Sequence, residues 1–358
     1  MTAPEPEPEP EALPGAERSA GRRAASIAGR IALVVGALVG TGFLLAGAVD
    51  ELDWGEVRSA LGSLSDAELL ALATAWLVWL ACQGLQTASL VPGLPVRRGI
   101  LAFLGPSAVA SVVPGPSDLP LRYAMLTGWG RTTTEAGLAV AAGGIFNIGI
   151  KLVLPVVAAV GLVVSGVPLE GAWRTLVVIA GVVGIGVLVV AAALRSEATT
   201  AKLGRALDPI WRAAMRLLRR EADGELADRL VASRAEALGL LHDRWPIATW
   251  GTVLAAGARV VLLILCLRFT GVPESAIGWT GIFVAFAFVQ GLTAVPILPG
   301  NVGVSELAYI SMITSVTGAS AINEVTAGVL LFRMLTWLLV IAAGIVALVV
   351  WRIGSRAR

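Results

Sequence analysis

The sequence predicts an all-α, polytopic membrane protein with about six full spans and two broken or re-entrant helical hairpins in an inverted repeat. Composition is the first reason: hydrophobic residues make up 56% of the chain, charged residues make up 15%, and there are 41 glycines. Such a composition is typical of membrane proteins. The other two reasons are apolar runs long enough to cross about 30 Å of hydrocarbon as helix, and two Pro-Gly tips that interrupt further apolar runs.

Six apolar runs are predicted to be full transmembrane helices because each is long enough to cross the hydrocarbon. They are 31–49, 68–91, 136–164, 173–194, 246–270 and 324–351. Two further runs are predicted to be hairpins that either re-enter on one side or cross twice. Their limbs are 99–113 with 119–128 in the first hairpin and 279–297 with 303–317 in the second. Together the runs form a single transmembrane domain at 31–351.

The segment before the first run, residues 1–30, is predicted to be a disordered cytoplasmic tail. Its Pro-Glu repeat cannot bury apolar surface. A signal peptide cleaved after Ala46-Gly47-Ala48 is the less favoured alternative, because the acidic leader and the apolar run are both too long for one.

The charged residues between the runs predict the orientation. With the N-terminus inside, the cytoplasmic segments collect 20 Lys and Arg residues, half of them between Arg195 and Arg244. Only Arg58 and Arg174 then lie outside. The positive-inside rule therefore places both termini in the cytoplasm. The predicted location is the cell inner (plasma) membrane, as a multi-pass protein.

The oriented chain falls into two halves of opposite direction. Repeat one covers about 68–165, repeat two covers about 246–351, and a cytoplasmic loop at 195–245 lies between them. Each repeat has an apolar span, a Pro-Gly tip, a short limb with a Tyr and a long last span with a buried cation. Many secondary transporters use such inverted halves with discontinuous helices to place a site near the bilayer midplane. For either tip alone, an ordinary turn outside the membrane stays the alternative.

Each hairpin tip is predicted to hold the start of a helix near mid-membrane. The tip residues are Pro114, Gly115, Ser117 and Asp118 in the first hairpin, and Pro299, Gly300, Asn301 and Gly303 in the second. Ser117 with Asp118, and Ser305 with Glu306, are predicted to cap the limbs that follow. Free N–H groups at such helix starts favour phosphate or carboxylate. Capping alone would explain Asp118 fully, and Glu306 about as well as a gating role would.

Five ionisable residues are predicted to lie at membrane depth and to bind substrate. They are Arg122, Lys151, Arg259, Glu306 and Arg333. A charge near the bilayer centre costs about 2.5–3.5 kcal/mol on insertion scales, so each needs a partner or an aqueous pocket. Because four of the five are cations, the pocket suits an anionic group such as a lipid phosphate. The alternative is that Glu306 neutralises one Arg while the other cations reach the interface along their flexible stems.

Residue patterns of other functional classes are missing from the sequence. His242 is the single His, and the two cysteines, Cys82 and Cys266, lie within apolar runs. These residues predict no metal site, catalytic triad or disulfide framework. There is also no Walker sequence to bind nucleotide phosphates. We therefore expect no catalytic residues, no metal, no cofactor and no nucleic acid partner, and we expect a protein that is not an enzyme.

The second tip, Pro296 to Glu306, resembles the Pro-Gly-Gly-hydrophobic-Gly-x-x-Glu signature of the flippase-like, lysylphosphatidylglycerol synthase transmembrane family, with Asn301 replacing a Gly. The first tip, Pro114 to Arg122, is similar to an earlier element of that family that ends in Arg, although its Gly-Glu portion is missing. The resemblance covers about 31–351. It implies movement of phospholipids or other lipid-linked anions between leaflets. The soluble aminoacyl-transferase domain of longer relatives has no counterpart, so lipid aminoacylation by this chain alone is not expected.

The sequence thus favours a flippase-type transporter that moves an anionic phospholipid or a lipid-linked phosphate between leaflets. Its expected partners are an anionic lipid and the membrane, and a homo-oligomer stays open. One alternative is an accessory membrane subunit that supports a glycosyltransferase or a lipid-modifying enzyme. A second alternative is an ion-coupled carrier of a small anion.

Overall fold

A computed structural model describes residues 62–112, 117–164, 244–294 and 299–356, together with scattered positions at 55–59 and 174–231. These residues are helical and include no strands, which confirms the predicted all-α membrane fold. The predictions for the tail at 1–30 and the span at 31–49 lie outside the described residues. So do those for most of the span at 173–194 and of the loop at 195–245.

Four helices lie in the segment predicted to be repeat one. They are α1 (Asp66–Ser89), α2 (Val96–Val112), α3 (Asp118–Gly128) and α4 (Thr133–Val164). Helix α1 begins at a capping box, in which the Ser65 N–H donates to Glu68 Oε2 at 2.8 Å and the Glu68 N–H donates to Ser65 Oγ at 3.4 Å. Its start is therefore fixed locally, close to the bound predicted from the apolar run.

Repeat two has more interruptions. Its helices are α5 (Trp245–Phe269), α6 (Trp279–Leu292), α7 (Val304–Thr317), α8 (Ile322–Arg333) and α9 (Leu339–Arg356). Short 3₁₀ turns at Pro299–Asn301 and Ala319–Ala321 precede α7 and α8. A π turn at Met334–Leu338 joins α8 to α9. The last predicted span is therefore present but contains a break in its helical geometry.

Within the described residues, 4 segments are long and apolar enough to cross a membrane. They are α1, α4, α5 and the continuous stretch Ala319–Gly354. The hairpin helices are shorter, with 17 and 11 residues in α2 and α3 and 14 residues in each of α6 and α7. All four fall below the roughly 20 residues that a full span needs. Whether the hairpins re-enter or cross the membrane stays a prediction.

Helices of each half pack against helices of the other half. Helix α1 packs along α5, the corresponding helix of the other half. Helix α2 packs against α9, and α6 packs against α4, so each hairpin leans on the last helix of the opposite repeat. Gly344 of α9 permits the first of these contacts, because a Cβ there would collide with Ala108 and with the Leu104 carbonyl of α2. Such an exchange is expected of an inverted repeat.

The outer surface of the helices is apolar. Large side chains that are at least half exposed occur on α1, α4, α5 and α9, including Leu70, Val157, Trp250 and Val346. An exposed apolar surface that extends over four helices is unfavourable in water and favourable in contact with lipid. A cavity of about 440 Å³ lies where Arg244 and Ile247 at the start of α5 face Ser89, the last residue of α1, and Leu94 in the link that follows.

Candidate functional site

The second hairpin tip is a tight turn built by three residues with positive φ. Gly300 has φ +59°, Asn301 has φ +51° and Gly303 has φ +84°. Asn301 is the sole residue other than glycine with positive φ among those described. Asn tolerates this left-handed conformation better than other side chains do, which explains how Asn301 can replace a glycine here. Gly300 has a second constraint, because a Cβ at this position would collide with the Trp337 indole.

Helix α7 begins at this tip, and Glu306 caps it. The Gly303 N–H donates to Glu306 Oε2 at 2.8 Å. Ser305, predicted to help cap the helix, instead donates from Oγ to the Asn301 carbonyl at 3.0 Å. The prediction for Ser305 was wrong because the N-cap is Gly303, two residues earlier, so Ser305 already lies in the first turn.

Glu306 also pairs with Arg333 at the end of α8. Arg333 Nε lies 2.6 Å from Glu306 Oε1, and both side chains are close to 90% buried. The same guanidinium donates from Nη2 to the Gly300 carbonyl at 2.8 Å and stacks over the Trp337 ring at 5.7 Å. One Arg therefore ties together the tip, α7 and α8. The expectation that Glu306 neutralises one of the buried Arg residues holds for Arg333.

The first hairpin also has an Arg–carboxylate pair, but within a single helix. Arg122 Nη2 lies 3.6 Å from Asp118 Oδ2, one turn earlier in α3. The guanidinium packs on Gly143 of α4, where a Cβ would lie 3.4 Å from Arg122 Nη1. Ser117 does not cap α3: its backbone is helical and its side chain makes no capping hydrogen bond. Pro114 and Gly115 lie outside the described residues.

Lys151 connects the two halves from the middle of α4. Its Nζ donates to the Thr293 carbonyl, just after α6, at 3.2 Å. Pro155 follows four residues later inside α4 and has no N–H to bind the Lys151 carbonyl. Pro155 also packs on Gly291 of α6, where a Cβ would collide with its ring. Lys151 is close enough to Asp118 and to Arg259 to interact with both electrostatically.

Arg259, near the middle of α5, lies among aromatic rings. Its Cζ is 5.6 Å from the centre of the Phe286 ring and 5.9 Å from that of Trp79. Its Nε is buried and has no hydrogen-bond partner among the described residues. The guanidinium also interacts electrostatically with Tyr309 and Arg333. Cation–π contacts are favourable but do not neutralise a full charge. Arg259 therefore lacks an anionic partner among the described residues.

These side chains form one electrostatic network, which we call the charge cluster. Its members are Asp118, Arg122, Lys151, Arg259, Glu306 and Arg333. Four cations face two carboxylates, so the cluster carries a net charge of +2 when all six groups are ionised. In the structure each carboxylate pairs with one Arg. Neither Lys151 nor Arg259 has a carboxylate within salt-bridge distance in the described part of the chain.

The predictions from the sequence did not include several residues that shape the site. Pro155 follows Lys151 by four residues and could have been recognised as a helix interruption. The π turn at Met334–Leu338 directly follows Arg333, so both long last helices are distorted next to their buried cation. The π turn contains neither Pro nor Gly, and no signal in the sequence marks it. Trp76 of α1 supports it by donating from Nε1 to the Leu335 carbonyl at 2.8 Å.

Comparison with known families agrees with these features. A sequence profile described as "Lysylphosphatidylglycerol synthase TM region" matches residues 30–344. The match spans both hairpins and every residue of the charge cluster. No curated protein matches the sequence.

Proposed function

Because the chain belongs to the lysylphosphatidylglycerol synthase transmembrane family, whose members are integral membrane proteins of lipid metabolism or translocation, we propose that it is a flippase-type transporter. It moves an anionic phospholipid or a lipid-linked phosphate between the two leaflets. Its termini are cytoplasmic and it resides in the plasma membrane. In this proposal the protein carries out no enzymatic step.

The single observation that carries the proposal is the net positive charge of a buried cluster. Leaving even one charge unpaired at membrane depth costs about 2.5–3.5 kcal/mol on insertion scales. Lys151 and Arg259 lie near the middle of long apolar helices and lack a carboxylate partner among the described residues. A lipid phosphate that enters the site would supply the missing negative charge. Its acyl tails would stay in the bilayer, beside the apolar outer surface.

The geometry supports a division of roles among the four cations. Lys151 and Arg259 are the primary ligands of the phosphate, since their charge is not neutralised in the empty site. Arg122 and Arg333 are already paired, so they would contact the phosphate by exchanging Asp118 or Glu306 for it. Glu306 then returns to Arg333 on release, which avoids a buried cation without a partner. In this proposal Arg259 is a primary ligand, because it has no carboxylate within salt-bridge distance in the described part of the chain.

Leaflet exchange in reconstituted vesicles tests the proposal. The purified protein is placed in phosphatidylcholine vesicles containing a trace of fluorescent lipid, and an impermeant quencher reports how fast the inner-leaflet probe reaches the outside. The wild-type protein should accelerate exchange of anionic probes, and Lys151→Gln and Arg259→Gln should each slow it about tenfold or more. Arg97→Gln is the control, because Arg97 is exposed at the start of α2, a helix that contributes no residue to the cluster. If no anionic probe moves, or both variants match the wild type, the proposal is wrong.

The same variants separate this function from its alternatives. An accessory subunit needs the fold but not the charges, so neutral substitutions would leave its partner enzyme fully supported. A small-anion carrier would move a soluble ligand in vesicles whose lipids do not exchange. Neither outcome is expected if lipid phosphate is the substrate.

A further inference from the structure

We infer that the lipid carried by this protein has a dianionic phosphomonoester head, and not the phosphodiester of common glycerophospholipids. The inference rests on the proposed function and specifies the substrate class of the same site. It begins from the charge of +2 on the charge cluster. A phosphodiester carries one negative charge and would leave one buried cation without compensation, whereas a dianion neutralises both.

The charge count is made over the residues that the structure describes. Across all predicted transmembrane runs and tips, the carboxylates away from the membrane ends are Asp118 and Glu306. Both are described, and both pair with an Arg. Among the described residues, no other acidic side chain lies within salt-bridge distance of Lys151 or Arg259. We therefore assign the compensating charge to the ligand.

Hydrogen-bond donors around Arg259 form an independent observation. Tyr309 Oη and Trp79 Nε1 are buried and have no hydrogen-bond partner among the described residues, and the same holds for Arg259 Nε. Tyr309 and Trp79 are only 2% and 3% exposed. Trp79 contacts the Arg259 guanidinium, and Tyr309 stacks on Phe286, which also contacts it. Buried donors without an acceptor are rare in folded proteins and call for an explanation.

A terminal phosphate explains these donors better than a bridging one. A phosphomonoester presents three strong acceptor oxygens, while a phosphodiester in the middle of a head group presents two that are not esterified. The cluster offers Lys151 Nζ and the Arg259 guanidinium, and the neighbouring Tyr309 hydroxyl and Trp79 indole N–H lack an acceptor among the described residues. Three terminal oxygens give these donors more acceptor positions than two do. Both the charge and the donor inventory match the head group of a lipid phosphomonoester.

The decisive experiment compares two probes with identical fluorescent acyl chains. One is phosphatidic acid, a phosphomonoester, and the other is phosphatidylglycerol, a phosphodiester. Leaflet exchange is measured in phosphatidylcholine vesicles at about pH 7, about one unit above the second phosphate ionisation near 6. We expect phosphatidic acid to exchange at least about tenfold faster than phosphatidylglycerol. Equal exchange, or faster exchange of phosphatidylglycerol, would overturn the inference while leaving the proposed function intact. Exchange of neither lipid would refute both.

A charge-reducing variant provides the second arm. Lys151→Met lowers the cluster to a net charge of +1, so the preference should move towards phosphatidylglycerol by about tenfold. Lys151→Arg keeps the charge and should keep the wild-type preference, as should the exposed control Arg97→Gln. An unchanged preference in Lys151→Met would contradict the charge-matching argument, even if the total rate falls.

Free phosphate has the same chemistry as a phosphomonoester head, so a third arm separates the two. Vesicles are loaded with inorganic phosphate, and its release is followed with and without the protein. We expect no accelerated release. Protein-dependent release of inorganic phosphate without exchange of phosphatidic acid would overturn the assignment of a lipid as the substrate.

Discussion

The two hairpins contain the same chemical pair in different architectures. In the first, Arg122 and Asp118 lie one turn apart on α3 at 3.6 Å. In the second, Arg333 and Glu306 are 27 residues apart, meet at 2.6 Å and join α8 to α7. The first pair is partly exposed, with 26% of the Asp118 side chain accessible, whereas the second is close to 90% buried.

Two Arg–carboxylate pairs of the same chemistry can therefore differ in how many helices they hold together. A pair within one helix can break without moving any other element. The Glu306–Arg333 pair cannot, because Glu306 caps α7 through Gly303 and Arg333 holds the Gly300 carbonyl. We infer that opening the second pair moves the tip together with α7 and α8, whereas the first pair can open locally. The predictions below test that contrast, from the largest expected effect to the smallest.

The largest effect is expected from Glu306→Gln. The change leaves Arg333 as a buried cation without a carboxylate and weakens the cap of α7, so we expect a loss of about 3–5 kcal/mol of stability. Unfolding of the detergent-solubilised protein with increasing SDS would measure it. The double variant Glu306→Gln with Arg333→Met should recover part of the loss. A single variant as stable as the wild type would show that the second pair is no more structural than the first.

Gly300→Ala should also damage the second tip, by about 2–3 kcal/mol. Its φ of +59° disfavours any Cβ, and that Cβ would collide with Trp337. Gly130→Ala is the matched control, since Gly130 has φ +82° but open space around its Cβ position. The control should show the conformational cost alone, about 1 kcal/mol. Equal losses in thermal stability would mean that the contact with Trp337 contributes nothing.

Trp76→Phe tests the support of the π turn that follows Arg333. The change removes the donor to the Leu335 carbonyl, and we expect a loss of about 1–2 kcal/mol. Trp79→Phe is the control, because Trp79 lies on the same helix, is 3% exposed and has an Nε1 without a hydrogen-bond partner among the described residues. Thermal unfolding of both variants decides between a structural hydrogen bond and simple loss of indole volume, which would lower both midpoints alike.

Asp118→Asn should have the smallest effect on stability, about 1 kcal/mol or less, since the pair is local and partly exposed. The variant should remain folded but bind anionic lipid more tightly, because the cluster gains net positive charge. Native mass spectrometry of the variant and the wild type would compare the retained lipid. A stability loss as large as that of Glu306→Gln would abolish the contrast between the hairpins.

Much of this fold could be predicted because it depends on run length and on local chemistry. Helices α1, α4 and α5 begin within three residues of the predicted bounds, since apolar runs and polar links mark them directly. The pairing of Glu306 with a buried Arg was among the expectations, because so few carboxylates exist at membrane depth.

What the sequence did not reveal depends on tertiary contacts. The surroundings of Arg259 come from Trp79 on α1 and Phe286 on α6, and no spacing along the chain announces that meeting. Ser117 has the right residue type for a cap, but its helical backbone prevents that role. Local chemistry therefore predicted which residues are charged and where helices start, while packing decided which charges are satisfied.

The π turn at Met334–Leu338 sets the rotational position of α9 relative to α8. Each residue turns an α-helix by about 100°, so the wider turn offsets the face of α9 relative to that of α8. Arg333 must point at Glu306 while Gly344 meets α2, and one helical phase has to satisfy both. Loss of one residue within 334–338 would convert the wider turn to regular α-helix and keep both contacts nearly in phase. Loss of two residues would rotate one of the contacts away. We therefore expect this segment to tolerate a deletion of one residue and not of two.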